Sequence, residues 1–423
     1  MRGRPPARAN CRSTSRRRGN PSGIRVSKND QPTIIVFCDH LLYPSETFIR
    51  NQVQALRRFA PVYAGSRRVP GLDLPEESTY TINRGDLAGR VREVIFKLSG
   101  VAPRLVQRLR ALDPVLMHSH FGPDGLRALP LARSLGLPLI VTFHGSDATA
   151  TDVRYVKAPY GHRRYLGQRK LLQQGGTLFL AVSQFIRKKL LEQGYPAEKV
   201  VVHYIGVDTS LFSPRKGEDQ NESIVLFIGR LHERKGVEFL ISAMAEVQKE
   251  NSAAQLVLIG DGPLRGRLEQ QAKESLRRFK FLGTQSAEVV RDWLDRASVF
   301  SAPSVKTVSG EEEAFGMVFA EAQAMAKPVV SFSSGGIGEA VQHGETGLLS
   351  PERDWRALAQ NLSFLLKNAD LRRKFGMAGR ERVLRLFDLN AQTAKLETIY
   401  DNVLQAVNRD ARNPASQYAQ QVS

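Results

Sequence analysis

Short apolar runs alternate with amphipathic segments along most of the chain, and this alternation limits the possible folds more than any other feature. In the first half, strand patterns occur at 33–37 (TIIVF), 114–120 (PVLMHSH), 138–147 (PLIVTFHGSD), 177–183 (TLFLAVS) and 199–208 (KVVVHYIGVD). Segments of helical periodicity lie between them, such as 45–59 (SETFIRNQVQALRRF), which Ser45 is suited to cap. Strands that alternate with helices predict a parallel sheet covered on both faces.

The alternation stops at 213–223 (SPRKGEDQNES), a polar stretch that we interpret as a linker. A second series of strand patterns follows at 223–230, 254–262, 279–283, 297–304, 328–334 and 346–350. The predicted fold class is therefore α/β, with two doubly wound, Rossmann-like domains facing across a cleft that holds the ligands. The predicted order is a basic disordered arm (1–30), an N-terminal domain (31–212), a linker (213–222), a C-terminal domain (223–388), a helix returning to the N-terminal domain (389–408) and a loose tail (409–423).

The net charge of +19 is concentrated at the start of the chain. Residues 1–30 hold nine Arg or Lys and one Asp, a net charge of +8. Such a segment is typical of a disordered arm that binds nucleic acid or an anionic membrane, and equally of a leader without a role. The two cysteines, Cys11 and Cys38, favour a reducing compartment. We expect neither a membrane-spanning run nor an apolar signal segment.

The stretch 309–330 (SGEEEAFGMVFAEAQAMAKPVV) combines acidic residues with an apolar helical pattern. We expect a helix from near Phe315–Gly316 to Met325, whose N-terminal N–H groups and glycine suit an anion such as a diphosphate. Acidic residues near a helix start also stabilise the helix dipole by about 0.3–1 kcal/mol, which explains Glu311–Glu313 without a ligand. Glu321 stays unexplained, because a carboxylate within an apolar run needs a hydrogen-bond donor such as ribose.

Motifs in both halves occur in a fixed order. They are YPSETFI (43–49), HSHFG (118–122), TFHGSD (142–147), GVDTSLF (206–212), GRLHERKG (229–236), LIGDGP (258–263), FLG (281–283), EAFGMVFAE (313–321), SSGGIGEAV (333–341) and GETGLL (344–349). Together they resemble the family-4 retaining glycosyltransferases of the GT-B fold. The motifs of the first half look like those of exopolysaccharide glycosyltransferases of the colanic-acid type. The resemblance covers residues 33–405.

The resemblance implies a donor site in the second domain. Arg230 and Lys235, beside the strand-end Gly229, match the pair that binds the donor diphosphate, and two fixed cations suit a dianion. Glu313 matches the residue that contacts hydroxyls of the transferred sugar. Glu321 matches the carboxylate that binds ribose. The residues that match the segment meeting phosphate and sugar are Phe315, Gly316 and Met317.

The resemblance implies acceptor-side residues in the first domain. His144 matches a histidine at the cleft edge, and with Glu313 it is the predicted catalytic pair. We expect His118 and His120 to face opposite sides of the sheet, with His120 toward the cleft and His118 structural. Asp147 is expected to contact the acceptor.

The implied reaction moves a hexose, with retention, from a UDP- or GDP-linked sugar to a saccharide acceptor. The acceptor is expected to be polyprenyl-linked, in exopolysaccharide or cell-surface polysaccharide synthesis, and no cofactor is expected beyond the donor substrate. The sequence contains no Asp-x-Asp motif, so we do not expect a metal bridge. No carboxylate nucleophile is evident, so departure and attack are expected on one face of the sugar.

Two departures from the family pattern and three rival functions remain. Many relatives have Gly where this chain has Ala314, and many have a Gly-Gly loop where it has HLLYPSETF (40–48).

The rival functions are a nucleotide-sugar epimerase or a phosphorylase on the same fold, and a basic nucleic-acid-binding protein. The basic residues are not interleaved with aromatic ones, so no specific nucleic acid is expected.

Residues 84–112 (RGDLAGRVREVIFKLSGVAPRLVQRLRAL) predict basic amphipathic helices. The apolar residues at helical spacing are Val91, Val94, Ile95, Leu98, Leu105, Leu109 and Leu112. One interpretation is that these helices bind an anionic membrane, which makes the protein cytoplasmic and peripheral on the inner face of the cell membrane. The alternative is that the apolar stripe simply packs on the sheet.

Overall fold

The computed structural model describes residues 31–149, 160–215 and 222–412. The predicted arm (1–30), most of the predicted linker (213–222) and most of the predicted tail (409–423) lie outside these residues. The described residues from Pro32 onward belong to one compact unit. The domain boundaries that the sequence predicts inside this unit therefore stay predictions.

Two sheets flanked by helices make up the described structure. The strands of the first sheet are β1 (Thr33–Phe37), β2 (His40–Leu41), β3 (Ala60–Arg68), β4 (Thr79–Asn83), β5 (Pro114–His120), β6 (Leu139–Phe143), β7 (Leu178–Ala181) and β8 (Val200–Val202). Those of the second sheet are β9 (Ile224–Ile228), β10 (Gln255–Ile259), β11 (Phe279–Phe281), β12 (Val299–Ser301), β13 (Val329–Phe332) and β14 (Gly347–Ser350).

The helices, numbered in chain order, lie between and after the strands. The first half contains α1 (Thr47–Gln54), α2 (Leu87–Ser99), α3 (Pro103–Arg110), α4 (Gly122–Leu135), α5 (Ser146–Thr149), α6 (Tyr160–Gly175) and α7 (Gln184–Glu192). The second half contains α8 (Val237–Glu250), α9 (Arg265–Ser275), α10 (Ala287–Arg296), α11 (Met317–Ala324), α12 (Ile337–Ala340), α13 (Trp355–Lys367), α14 (Ala369–Leu386) and α15 (Leu389–Arg412). Within the described ranges, no helix has the length and apolar character that a membrane span requires.

The strand order confirms the predicted doubly wound α/β class. The first sheet runs β3-β1-β5-β6-β7-β8, with β2 and β4 both paired to β3, and the second runs β11-β10-β9-β12-β13-β14. Every strand pair is parallel. The order reverses between β1 and β5 and between β9 and β12. Ligands in such folds bind beyond the carboxyl ends of the strands at this reversal.

Both faces of the first sheet are buried. Ile35 of β1 packs in a cluster with Phe96 of α2, whereas its neighbour Ile34 packs on the other face with Tyr400 of α15. Successive strand residues point to opposite faces, so a run of apolar residues is what a doubly covered strand requires.

Helix α15 packs on the first sheet although it follows the second in sequence. Leu396, Tyr400 and Val403 are buried beside β1. The Glu397 carboxylate accepts the backbone N–H groups that follow α1, those of Arg57 at 2.7 Å and Arg58 at 2.6 Å. Helix α15 therefore returns to the first half of the chain and packs there against β1 and the residues after α1.

Candidate active site

The predicted site residues lie at the carboxyl ends of the two sheets. Gly229 follows β9, His120 ends β5 and His144 follows β6. Helix α11 begins at Met317, after the loop that follows β12. The two halves meet here, because a Cβ atom at Gly145 would lie 3.1 Å from the Cβ atom of Ala314.

Helix α11 begins close to the predicted position because Gly316 adopts backbone geometry that other residues avoid. Its φ is 82°, and a Cβ atom there would lie 2.4 Å from the Phe319 ring. The Phe315 side chain is buried against Phe387, with ring centroids 4.9 Å apart. Phe315 can therefore offer a ligand only its backbone, whereas Met317 is partly exposed.

An ion pair lies beside the start of α11. Lys235 Nζ donates to Glu313 Oε2 at 2.6 Å, and Ser304 Oγ donates to the same oxygen at 3.1 Å. Glu313 is 7% exposed. Burial alone raises the pKa of Glu313, but the charges of Lys235 and Arg234 hold that pKa at about 2. The carboxylate is therefore ionised at neutral pH, with Lys235 as its counterion.

The loop after β13 fixes the backbone of Glu313. Gly336 N–H donates to Glu313 O at 2.7 Å. Gly335 has a φ of 55°, and a Cβ atom there would lie 2.3 Å from the same carbonyl oxygen. The second predicted cation, Arg230, is exposed and forms no ion pair within the described ranges. Of the two residues predicted to bind the diphosphate, Lys235 is thus held in place by Glu313, whereas Arg230 extends into solvent.

Glu321 has no hydrogen-bond partner for its carboxylate in the part of the chain that the structure describes. Burial raises the pKa of Glu321 to about 7. The side chain is partly exposed, so a ligand can reach it. A buried carboxylate without a hydrogen-bond partner is stabilised by a ligand whose hydroxyl groups donate to it.

Two histidines from the first sheet stack at its carboxyl edge. His120 Nδ1 and His144 Nε2 are 2.9 Å apart and share a hydrogen bond. Phe48 and Phe121 flank the His144 ring, each with a centroid distance of 4.8 Å. Burial lowers the pKa of His144 to about 3, and burial followed by the charge of His144 lowers the pKa of His120. Both rings are therefore neutral at neutral pH.

The expectation that His118 and His120 face opposite sides of the sheet is wrong. Their rings stack with centroids 4.5 Å apart, because residues two apart on a strand share a face. His118 bonds to the Tyr400 hydroxyl at 2.6 Å and to Thr142 Oγ1 at 2.7 Å. These partners give His118 the structural role that was expected of it.

Asp147 holds two loops together. Its carboxylate accepts the backbone N–H groups of Gly122 at 3.1 Å, His144 at 3.1 Å and Gly145 at 2.8 Å. Burial raises the pKa of Asp147 to about 6 although these bonds oppose the rise. In this structure Asp147 positions His144, and its predicted contact with an acceptor stays a prediction.

Glu339, to which the sequence analysis gives no role, connects the two halves. Its carboxylate accepts the first N–H groups of α7, those of Gln184 and Phe185, at 2.7 Å each. An acidic side chain at a helix N-terminus is favourable. Ser183 Oγ also donates to the carbonyl oxygen of Ala314 at 2.7 Å, so Ala314 lies at the contact between the halves.

A carboxylate pair beyond β1 is also absent from the prediction. Asp39 N–H donates to Asp124 Oδ2 at 2.8 Å, and Arg127 and Lys97 lie 3.6 and 3.7 Å from Asp39 Oδ2. Burial, followed by the charge of Asp39, raises the pKa of Asp124 to about 7. The sequence did contain a signal, because Asp39 lies two residues after the strand pattern 33–37 and Asp124 lies two residues after the motif HSHFG (118–122). Among the described residues, no group of three or more His, Cys, Asp or Glu could hold a metal ion.

Two family profiles match the chain. Glycosyltransferase Family 4 matches residues 45–211, and Glycosyl transferases group 1 matches residues 208–382. Together the two profiles cover residues 45–382, which include strands of both sheets.

Three similar proteins are named as glycosyltransferases of colanic acid or amylovoran biosynthesis. The chain is 33% identical to the colanic acid biosynthesis glycosyltransferase WcaL of Escherichia coli K12, over 58% of this chain and 60% of that protein. It is 30% identical to WcaL of Salmonella typhimurium LT2, over 67% of this chain and 70% of that protein. It is 29% identical to the amylovoran biosynthesis glycosyltransferase AmsK of Erwinia amylovora, over 57% and 58%. The match thus spans less than two thirds of the Escherichia and Erwinia proteins.

Solved structures share the fold. HepE of Anabaena, in complex with UDP and glucose, superposes with a TM-score of 0.70 at 18% identity, covering 88% of this chain and 100% of that chain. Sucrose-phosphate synthase of Thermosynechococcus elongatus gives a TM-score of 0.71 at 24% identity, covering 89% and 100%. At these identities the likeness concerns the fold.

Proposed function

This chain belongs to the family-4 glycosyltransferases of the GT-B fold, and on that premise we propose that it moves a hexose from a nucleotide-diphosphate sugar to a saccharide acceptor with retention. The acceptor is polyprenyl-linked, and the product is an exopolysaccharide or a cell-surface polysaccharide. The names of the colanic acid and amylovoran relatives support the product class. The UDP in the HepE complex supports a nucleotide donor.

The observation that carries the proposal is the Lys235–Glu313 ion pair beside the start of α11, with the unpartnered Glu321 farther along the same helix. Arg230, Lys235 and the helix N-terminus bind the donor diphosphate. Glu321 accepts the ribose hydroxyls, and Glu313 accepts hydroxyls of the hexose. Each negative group of the site thus meets hydroxyls, and each positive group meets phosphate.

Transfer breaks the bond between the anomeric carbon and the diphosphate and forms a bond from that carbon to the acceptor oxygen on the same face. Arg230, Lys235 and α11 stabilise the charge that develops on the leaving diphosphate. The acceptor proton passes to an oxygen of that diphosphate. The neutral His144 contributes a hydrogen bond to the sugar, and its bond to His120 fixes its orientation.

A donor screen tests this function. The protein is incubated with UDP- and GDP-hexoses and saccharide acceptors, and mass spectrometry detects the acceptor that has gained a hexose. The comparisons give no support to the epimerase, phosphorylase and nucleic-acid-binding alternatives. Epimerised donor without transfer, or thermal stabilisation by duplex DNA but not by UDP, would contradict the proposal.

Transfer should persist when divalent cations are removed with EDTA. The sequence has no Asp-x-Asp motif, and Arg230 and Lys235 supply positive charge where a cation would otherwise neutralise the diphosphate. Initial rates with and without chelator measure the effect. Complete loss that Mg²⁺ or Mn²⁺ restores would show that the charge of the two side chains is insufficient.

The first half also has a surface suited to an anionic membrane, and we propose that the protein binds the inner face of the cell membrane there. Val91, Val94, Ile95 and Leu98 of α2 are each 50–59% exposed. The apolar stripe therefore faces outward on α2, whereas Leu105 and its neighbours on α3 pack inward. Exposed apolar residues flanked by basic ones suit a membrane interface.

Helix α2 lies across the carboxyl edge of the first sheet. Glu93 accepts a hydrogen bond from Asn83, the last residue of β4, at 2.7 Å. Four residues later, Lys97 lies 3.7 Å from Asp39, just beyond β1. A membrane bound at α2 would therefore lie beside the edge that carries His120 and His144. This placement suits an acceptor that is anchored to lipid.

Sedimentation with vesicles should show binding to anionic membranes that weakens steeply as salt rises. Each basic residue near such a surface contributes about 1 kcal/mol, and salt screens that attraction. Val94→Glu with Leu98→Glu should weaken binding, whereas Met377→Glu, at a 64% exposed position on α14, should not. Deleting residues 1–30 should reduce binding without abolishing it. Equal binding to neutral and anionic vesicles, or none at low salt, would contradict the proposal.

A further inference from the structure

A cavity of about 570 Å³ opens between the end of β4 and helices α2 and α3. Ile82, Ile95, Val101 and Leu105 supply an apolar part of its lining. Ile95 is also 50% exposed, so this lining continues into the outward stripe of α2. The cavity therefore joins the surface that we assign to the membrane.

The charged part of the lining is strongly basic. Four arginines line the cavity against one carboxylate, that of Asp86. The arginines are Arg84, Arg92, Arg104 and Arg108. Asp86 is already engaged, because it caps α2 by accepting Gly89 N–H at 2.8 Å and lies 3.4 Å from Arg92. The remaining three arginines form no ion pair within the described ranges, which leaves a concentration of positive charge without its anion.

Arg108 shows how this charge is held. Its guanidinium lies over the Tyr80 ring, 4.8 Å from the centroid. Burial, followed by the charge of Arg84, lowers the pKa of Arg108. Two cations that repel each other beside an apolar wall are stabilised by an anion that binds between them. Guanidinium groups match the oxygen spacing of phosphate.

We propose that this cavity binds the terminal phosphate of a membrane lipid, a phosphomonoester carried on an acyl or polyprenyl chain. The arginines contact the phosphate oxygens, and the chain leaves along Ile95 and the exposed stripe of α2. A phosphomonoester carries about −1.5 to −2 charges at neutral pH, more than a diester, which suits several cations in one cavity. The apolar lining favours a lipid over a free anion. This inference rests on the membrane binding proposed above and adds a preference for one lipid headgroup.

The test compares two kinds of anionic vesicle with matched zeta potential, one containing phosphatidic acid and the other phosphatidylserine. The full chain should bind phosphatidic acid vesicles roughly tenfold more tightly, since one hydrogen bond between charged groups is worth about that factor. Arg84→Gln and Arg108→Gln should lose this preference while still binding both vesicles. Arg90→Gln, which removes the same charge from an exposed site on α2 outside the cavity, should keep it.

The outcomes separate the two proposals. Equal affinity of the unmodified chain for both vesicles would overturn the headgroup inference and leave membrane binding standing. Absence of binding to either vesicle at low salt would overturn both. Soluble glycerol phosphate that competes as strongly as phosphatidic acid would assign the cavity to a free anion and overturn the lipid assignment. Loss of preference in Arg90→Gln as well would show that general surface charge, not the cavity, selects the lipid.

Discussion

Replacing Lys235 with alanine should reduce sugar transfer by about 10²–10³-fold, the usual effect of removing one group that stabilises charge in a transition state. Lys235 Nζ lies 2.6 Å from Glu313 Oε2 and, in the proposed mechanism, also faces the departing diphosphate. The change therefore removes a cation from the leaving group. It also removes the counterion that keeps the pKa of Glu313 low. Initial rates at saturating donor measure the effect on turnover.

The matched control is Lys249→Ala. Lys249 also forms an ion pair, with Glu246 at 2.8 Å, but its side chain is 68% exposed and lies on the outer surface of α8. This variant should retain unmodified rates. Thermal melting of both variants separates loss of chemistry from loss of fold. Turnover of the Lys235 variant near that of the unmodified protein, with the fold intact, would show that the diphosphate departs elsewhere.

The four inner strands of the second sheet, β9, β10, β12 and β13, could be predicted because they are almost entirely buried and so appear as short apolar runs. Strand β9 (IVLFI) and strand β13 (VVSF) are examples. Strand β3 (APVYAGSRR) was missed because its buried part contains Gly65 and Ser66. A Cβ atom at Gly65 would lie 2.3 Å from the Cys38 carbonyl oxygen, so close backbone approach defines the packing there. Apolar periodicity does not record such an approach.

The candidate site was predictable only in part for a similar reason. Gly316 and Glu321 could be proposed as candidates because a helix start and a lone carboxylate leave local signals. Glu339 was missed because its partners, Gln184 and Phe185, lie more than 150 positions away in the chain. Which residues meet across the two sheets depends on tertiary packing, which no spacing in the sequence records.

The same limit applies to α2 and α3. Both helices carry apolar residues at helical spacing, yet Leu98 of α2 is 57% exposed and Leu109 of α3 is 0% exposed. Periodicity predicts that a helix has an apolar face. It does not predict whether that face packs on the protein, and the structure shows that the apolar residues of α3 are buried whereas the stripe of α2 stays exposed.

Replacing Glu321 with glutamine should remove a pH dependence from both stability and donor binding. The pKa of Glu321 rises from 4.5 to about 7 on folding, because folding buries its carboxylate. The folded protein therefore binds this proton more tightly than the unfolded chain does. The resulting stability is fully present below pH 4.5 and is lost as the pH rises through about 7. Above that pH, the glutamine variant should be more stable than the protein with ionised Glu321 by roughly 3 kcal/mol.

Donor binding should couple to the same proton in the unmodified protein. Ribose hydroxyls donate to the ionised carboxylate, so binding lowers the pKa of Glu321 and releases a proton below about pH 7. UDP-glucose is the appropriate donor, because its diphosphate has no terminal monoester that titrates nearby. Asp124 also has a pKa raised to about 7, so only the difference between the two proteins assigns the proton. Calorimetry in buffers of different ionisation enthalpy should detect proton release in the unmodified protein and markedly less in Glu321→Gln. Equal release in both proteins would place the ribose away from Glu321.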